Sequence, residues 1–283
     1  MIEPIVKEDK FLVLVIWTKL KIREQYIYLL KRVVSMTSLW SEIKSGDTLV
    51  LILFLIGIIL KPFPPIYLII AFFVIAYFSL RSWKSAWILV VAGMIFGFLF
   101  EFLGTHTGIP VGWYYYDRLG LQYAGVSLYV PVMWGIYTFE AYFFARQVTK
   151  GWRASLLTAI LLVILDLALD PIMTSWNAWV WVTKTEINWF GIPWTNYVGW
   201  FVSSMSIVLV YIAVVRFLRG NKEDYAPKIR LEFTSAPYLF ELLTFFVYTL
   251  TSRVNLAVLC ALILAIAVVT LVIVQYKTIG TKK

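Results

Sequence analysis

Long apolar blocks separated by short basic or aromatic connectors make up most of this chain. A helix needs about 20 residues to cross hydrocarbon. Blocks near that length predict eight spans: 48–60, 66–80, 87–103, 126–145, 154–172, 197–215, 237–251 and 254–275. The first is short, and Lys61-Pro62-Phe63-Pro64-Pro65 breaks it, because proline lacks the amide that a helix needs. In the third, Gly93 and Gly97 form a small-residue face that admits a close neighbour. Pro171 is expected to end or kink the fifth just after Asp170. Ser252-Arg253 is expected to form a tight turn within the closing hairpin.

Composition turns this pattern into a fold class. Of 283 residues 61% are hydrophobic and only 14% are charged, against roughly 25% charged in soluble domains. The expected fold is all-α, a polytopic membrane bundle of about eight helices, with 47–283 as a single transmembrane domain. Residues 1–46 are basic and are expected to lie on the membrane surface as an amphipathic segment. Phe11–Trp17 is too short, and is followed rather than preceded by Lys19, Lys21 and Arg23, for a signal peptide. Lys and Arg collect on the cytoplasmic side of short loops. With both termini inside, 21 of the 25 basic residues fall there, leaving Lys61, Arg118, Lys184 and Arg253 outside. Dropping the first span would place 13 outside. The expected location is therefore the cell membrane, multi-pass, with cytoplasmic termini. A net charge of +9 then reads as contact with anionic lipid headgroups and not with nucleic acid. One cysteine and one histidine leave no disulfide framework and no metal site built from those ligands.

This topology brings the candidate chemistry to one depth. Glu101 ends the third span and opens a glycine-bent aromatic loop, EFLGTHTGIPVGWYYY, that closes on Trp113, Tyr114, Tyr115 and Tyr116. Asp166 and Asp170 sit one helical turn apart in the outer half of the fifth span, on one face. Two like charges so placed in low dielectric are not both comfortably ionised, so one is expected to hold its proton and serve as a donor. The bland alternative is that a neighbouring Ser, a Trp N–H or Arg118 satisfies them. Glu140 is read as snorkelling toward Arg146, and Glu241 as an inner-side group paired with a basic residue. His106 reads as a hydrogen-bonded bystander. Six tryptophans from Trp176 to Trp200 suit either an interfacial belt or an aromatic pocket for a cation-forming apolar substrate. No span contains a lysine, and no nucleotide-binding or Asp-rich diphosphate motif stands out.

These residues resemble a known family. Glu101, Gly104, Thr107-Gly108, Pro110, Gly112, Tyr114 and Tyr116 form one block, continued by Gly125-Val126, Leu128, Val130-Pro131 and Trp134. Asp166, Asp170-Pro171, Trp179, Trp181, Gly191-Ile192-Pro193, Asn196 and Gly199-Trp200 form the second. Over about 95–215 the chain resembles the carotenoid biosynthesis membrane family that contains the carotenoid 1,2-hydratases. Ser127 stands where that pattern has proline. The resemblance implies addition of water to the terminal double bond of an acyclic carotenoid, with no cofactor. It implies Asp170 as acid, Asp166 as the partner that tunes it or orients water, and Glu101 as base, with acid and base exchangeable. Beside it, the aromatic-pocket reading expects substrate contacts from Trp113, Tyr114, Tyr116, Trp134, Trp179, Trp181, Asn196 and Trp200. The expected partners are an apolar carotenoid, water, membrane lipid and other enzymes of the same pathway. Two rivals stand beside this reading: an end-group cyclase of the lycopene type, and a non-catalytic carotenoid or lipid carrier or assembly subunit.

Overall fold

The computed structural model describes residues 46–220 and 228–280. The surface segment expected over residues 1–46 thus lies almost wholly outside the described residues. Two compact units divide the chain at Leu49 and Val50, and only the last few residues of the first are described. The second holds everything that follows.

Eight helices occupy the described residues, one for each apolar block. They are α1 (Gly46–Ile59), α2 (Pro64–Arg81), α3 (Ala86–Thr107), α4 (Tyr129–Val148), α5 (Trp152–Ser175), α6 (Trp194–Leu218), α7 (Leu231–Tyr248) and α8 (Asn255–Gly280). The fold is an all-α membrane bundle. Five helices, α2, α3, α5, α6 and α8, are long and apolar enough to cross a membrane. Lipid takes the place of a packed neighbour on their outer faces, where Ile69, Phe73, Ile95 and Phe217 stand exposed.

Helix α4 is built differently. From Met133 to Ala145 every residue is buried, because α3, α5 and α7 pack around it. A helix enclosed by protein needs no lipid-facing stripe, which frees it to carry Thr138 and Glu140 inside the bundle. Close approach to α3 is set by glycine on both sides. A Cβ on Gly93 would stand 2.8 Å from the Gly135 Cα, and one on Gly97 would stand 2.6 Å from the Trp134 Cβ.

The two aromatic loops meet above the helices. Strand β1 (Tyr114–Tyr116) pairs antiparallel with β4 (Trp179–Trp181), placing Tyr114 opposite Trp181 and Tyr116 opposite Trp179. Alternation points these four rings inward and leaves Tyr115 exposed. Two further short pairs close the loops: β2 (Gln122–Tyr123) with β3 (Val126–Ser127), and β5 (Asn188–Trp189) with β6 (Ile192–Pro193). The fourth helix therefore begins at Tyr129 and not at Val126. Ser127, in the position where the family pattern has proline, donates its hydroxyl to Leu119 O at 2.6 Å and pins that loop.

Of the two outcomes expected at Pro171, an end to the helix is not what forms, for an identifiable reason. Helix α5 runs through Pro171 to Ser175 and does not stop at Asp170. Proline costs a helix the bond to the carbonyl four residues earlier, here Leu167. The Trp189 indole donates to that carbonyl at 2.9 Å, so no buried acceptor is left bare.

Two stability outcomes are expected, both read by thermal unfolding in detergent. Gly93→Ala forces a methyl against α4 backbone and should cost about 1–3 kcal/mol, as overpacking does. Trp189→Phe keeps the ring but strips the donor from Leu167, and should cost about 1–3 kcal/mol.

Candidate functional site

Glu101 lies on the last turns of α3, 9% exposed, with three donors aimed at it. The Tyr114 hydroxyl donates to Oε2, the Tyr116 hydroxyl donates to the same oxygen at 2.5 Å, and the Trp134 indole donates to Oε1 at 2.7 Å. Every partner is a donor, so the carboxyl group acts purely as an acceptor. Burial, and after it the Glu101 charge, hold the Tyr114 and Tyr116 phenols well above their ordinary range. Both therefore stay protonated and keep donating. Gly97, one turn before Glu101, leaves room for Trp134, and the Trp134 ring stacks on Trp200 with centroids 4.1 Å apart.

Asp166 and Asp170 are fully enclosed on α5, 0% and 3% exposed. Asn196, in the first turn of α6, spans them: its amide donates to Asp166 Oδ2 at 2.7 Å and to Asp170 Oδ2 at 2.5 Å. The second Asp166 oxygen has no hydrogen-bond partner among the described residues. Asn196 supplies a satisfying group that the sequence did not offer, and the Trp179 indole, a Trp N–H such as it did offer, is a side-chain hydrogen-bond partner of Asp170. Arg118 instead faces Asp117 at 3.6 Å and is largely exposed.

Glu101 and Asp170 line one cavity of about 680 Å³. Helices α3 and α5 each pack on α4 and α6, and these two intervening helices hold the carboxyl groups across the cavity. Its wall takes Tyr114, Tyr116, Trp134, Trp179, Trp181, Asn196 and Trp200. Two expected members are absent from it. Asp166 sits behind Asp170, reached through Asn196, so it touches the cavity only by way of its neighbours. Trp113 is 46% exposed and packs beside Gly108, whose left-handed φ of 73° ends α3. His106 is exposed and bonded to Phe102 O at 2.9 Å.

Against this geometry the comparisons decide the family. A family model described as carotenoid biosynthesis protein matches residues 63–268. The chain belongs to that family. The matched span reaches well beyond the 95–215 that carried the resemblance, taking in most of the bundle. A bisanhydrobacterioruberin hydratase of Haloarcula japonica is 28% identical over 135 residues, 45% of each chain. The alignment thus spans about half the length of that curated relative. No solved structure matches.

Sequence reasoning missed a second buried cluster on the same wall. Lys61, from the α1–α2 turn, reaches inward to pair with Glu241 of α7, which is the basic partner expected for that carboxylate. Glu140 does not snorkel to Arg146: it is 2% exposed, and neither of its carboxyl oxygens has a hydrogen-bond partner among the described residues. The signal available was two carboxylates on separate spans with one lysine in an apolar turn, but the reach of a lysine stem is not visible in span boundaries.

Replacing Asn196 by Leu leaves two buried carboxyl groups without their shared donor. A cost of about 2–3 kcal/mol is expected in thermal unfolding, exceeding that of Thr195→Ala one residue earlier, which loses a single 3.0 Å bond to Val111 O.

Proposed function

We propose that the protein is a membrane carotenoid hydratase that adds water to the terminal double bond of an acyclic carotenoid end group. The observation that carries this reading is the pairing, in one aromatic-walled cavity, of an acceptor-only carboxyl group with a carboxyl group held in a different hydrogen-bonding setting. The relative named a hydratase supports the same reaction class. A volume of about 680 Å³ lies within the ~300–1,000 Å³ of small-ligand sites, which suits an end group and not a whole carotenoid.

The chemistry follows from the two environments. Asp170 transfers its proton to the less substituted carbon, and the π pair forms the new C–H bond. The tertiary cation left on the other carbon faces the indoles and phenols of Trp134, Trp200, Tyr114 and Tyr116, whose electron-rich faces attract it. Water adds its oxygen to that carbon, and Glu101 takes the proton the water gives up. Return of this proton to Asp170 restores the starting state, so the reaction balances with water alone and needs no cofactor. Asp166 acts on Asp170 through Asn196 as a positioning residue. We also assign a multi-pass topology with both termini cytoplasmic, on the charge distribution, and a hydrophobic substrate that arrives from lipid.

Removing a general acid or base commonly costs 10²–10⁴ in rate. Asp170→Asn and Glu101→Gln are each expected to lose at least about a hundredfold while expression holds, and Asp166→Asn to lose less. The assay incubates membranes with lycopene-type substrate and weighs the product. Gain of one water supports the reaction; an isomer of unchanged mass points to ring closure and rejects it. Full activity in both variants rejects the site.

A further inference from the structure

The Lys61 cluster is unusual for a turn residue. Pro62 follows it and Pro64 opens α2, so the turn has little freedom, and its side chain is only 12% exposed. The ammonium donates to Tyr137 Oη at 3.2 Å and to Glu241 Oε2. It stands 4.8 Å from the Tyr67 ring centroid and 5.0 Å from those of Tyr137 and Phe245. An ammonium has three donors. Glu241 and Tyr137 take two, and for the third the described residues provide ring faces but no further oxygen acceptor.

Lys61 and Tyr137 line the same cavity as Glu101 and Asp170. Tyr137 lies three residues after Trp134 on α4, hence one turn along the same face. A hydrocarbon filling the cavity would leave a charged N–H facing apolar carbon, a costly arrangement. The cluster does not suit an anion either, because Glu241 and Glu140 both act on the one ammonium and leave no surplus positive charge. What fits is a neutral acceptor.

We propose that Lys61 is a substrate-binding subsite that donates a hydrogen bond to a neutral oxygen, a hydroxyl or carbonyl, carried on the same end group that presents its double bond to Glu101 and Asp170. The proposal rests on the hydratase reading only for taking the ligand to be an acyclic carotenoid. A lysine serving merely to lock the turn onto α7 needs Glu241 alone, and Tyr248 already supplies such a tie by donating to Ile59 O at 2.9 Å.

The test uses the full chain in nanodiscs, with quenching of tryptophan fluorescence by two acyclic carotenoids that differ by one end-group hydroxyl. The wild type is expected to bind the hydroxylated one about tenfold more tightly, the scale of one hydrogen bond from a charged donor. Lys61→Met combined with Glu241→Gln and Glu140→Gln removes the ammonium and both acidic groups together, so no lone buried carboxylate remains to unfold the protein. In that variant the preference should fall to within about twofold. Equal binding by the wild type, or a preference that survives in the variant, overturns the subsite; the wild-type comparison decides even if the variant fails to fold. Turnover of the same pair separates the two ideas: discrimination without gain of water rejects the hydratase reading alone, and gain of water without discrimination rejects the subsite alone.

Discussion

A carboxylate in an apolar interior must be given donors, and the way Glu101 obtains them organises the outer half of this bundle. The indole of Trp134 comes from α4, and this is possible only because Gly97, Gly93 and Gly135 let α4 lie against α3. Two phenols come from β1. That strand has no helix of its own to hold it; it is held by pairing with β4, which ties the second aromatic loop to the first. One buried charge therefore fixes a helix spacing, a strand register and the roof of the cavity. A change at any of these three propagates to the same two carboxyl oxygens.

The aspartate pair solves its problem by sharing. One amide satisfies one oxygen of each, and Asp166 keeps an oxygen with no partner among the described residues. Setting Asn196 at the start of α6 makes that helix, rather than α3, the support of this half of the site. The continuation of α5 past Pro171 depends in turn on Trp189 from the loop before α6. Two carboxyl groups in one cavity thus meet unlike surroundings: Glu101 takes three side-chain donors of its own, while Asp170 shares the Asn196 amide with a second acid. Such a difference is what divides acid from base between chemically similar groups.

Much of this was legible in the sequence because a membrane helix writes itself as an unbroken apolar run, and all eight runs became helices. What failed were features decided between elements. Pro171 reads as a stop until a tryptophan 18 residues later supplies the missing bond partner. Tyr114, Tyr115 and Tyr116 are identical in kind, so the alternation that sends two inward and one outward leaves no trace in composition. Trp113 and Asp166 have the right chemistry and neighbours in the chain, yet one falls outside the cavity and the other behind its wall. Glu140 was placed by its distance from a span end, which ignores that α4 is enclosed by protein, and Glu241 has the basic partner expected of it, but from a turn whose reach the sequence does not show.

The scarcity of polar groups on the cavity wall is itself a requirement. A tertiary cation held against aromatic faces reacts with whatever nucleophile reaches it, so a wall lined at random with hydroxyls and carboxylates would give mixed products. Most of the lining is aromatic or aliphatic, and its charged members are Lys61, Glu101, Asp170 and the largely exposed Arg118. Glu101 spends its oxygens on three donors, and Lys61 spends two of its donors on Tyr137 and Glu241. Helix α4 carries a residue from each centre, Trp134 for one and Tyr137 for the other, one turn apart. On the proposed reading, a substrate oxygen bound at Lys61 and a double bond presented to Glu101 and Asp170 would be held in register by a single rigid element, which sets the alkene carbons against the acid and the water.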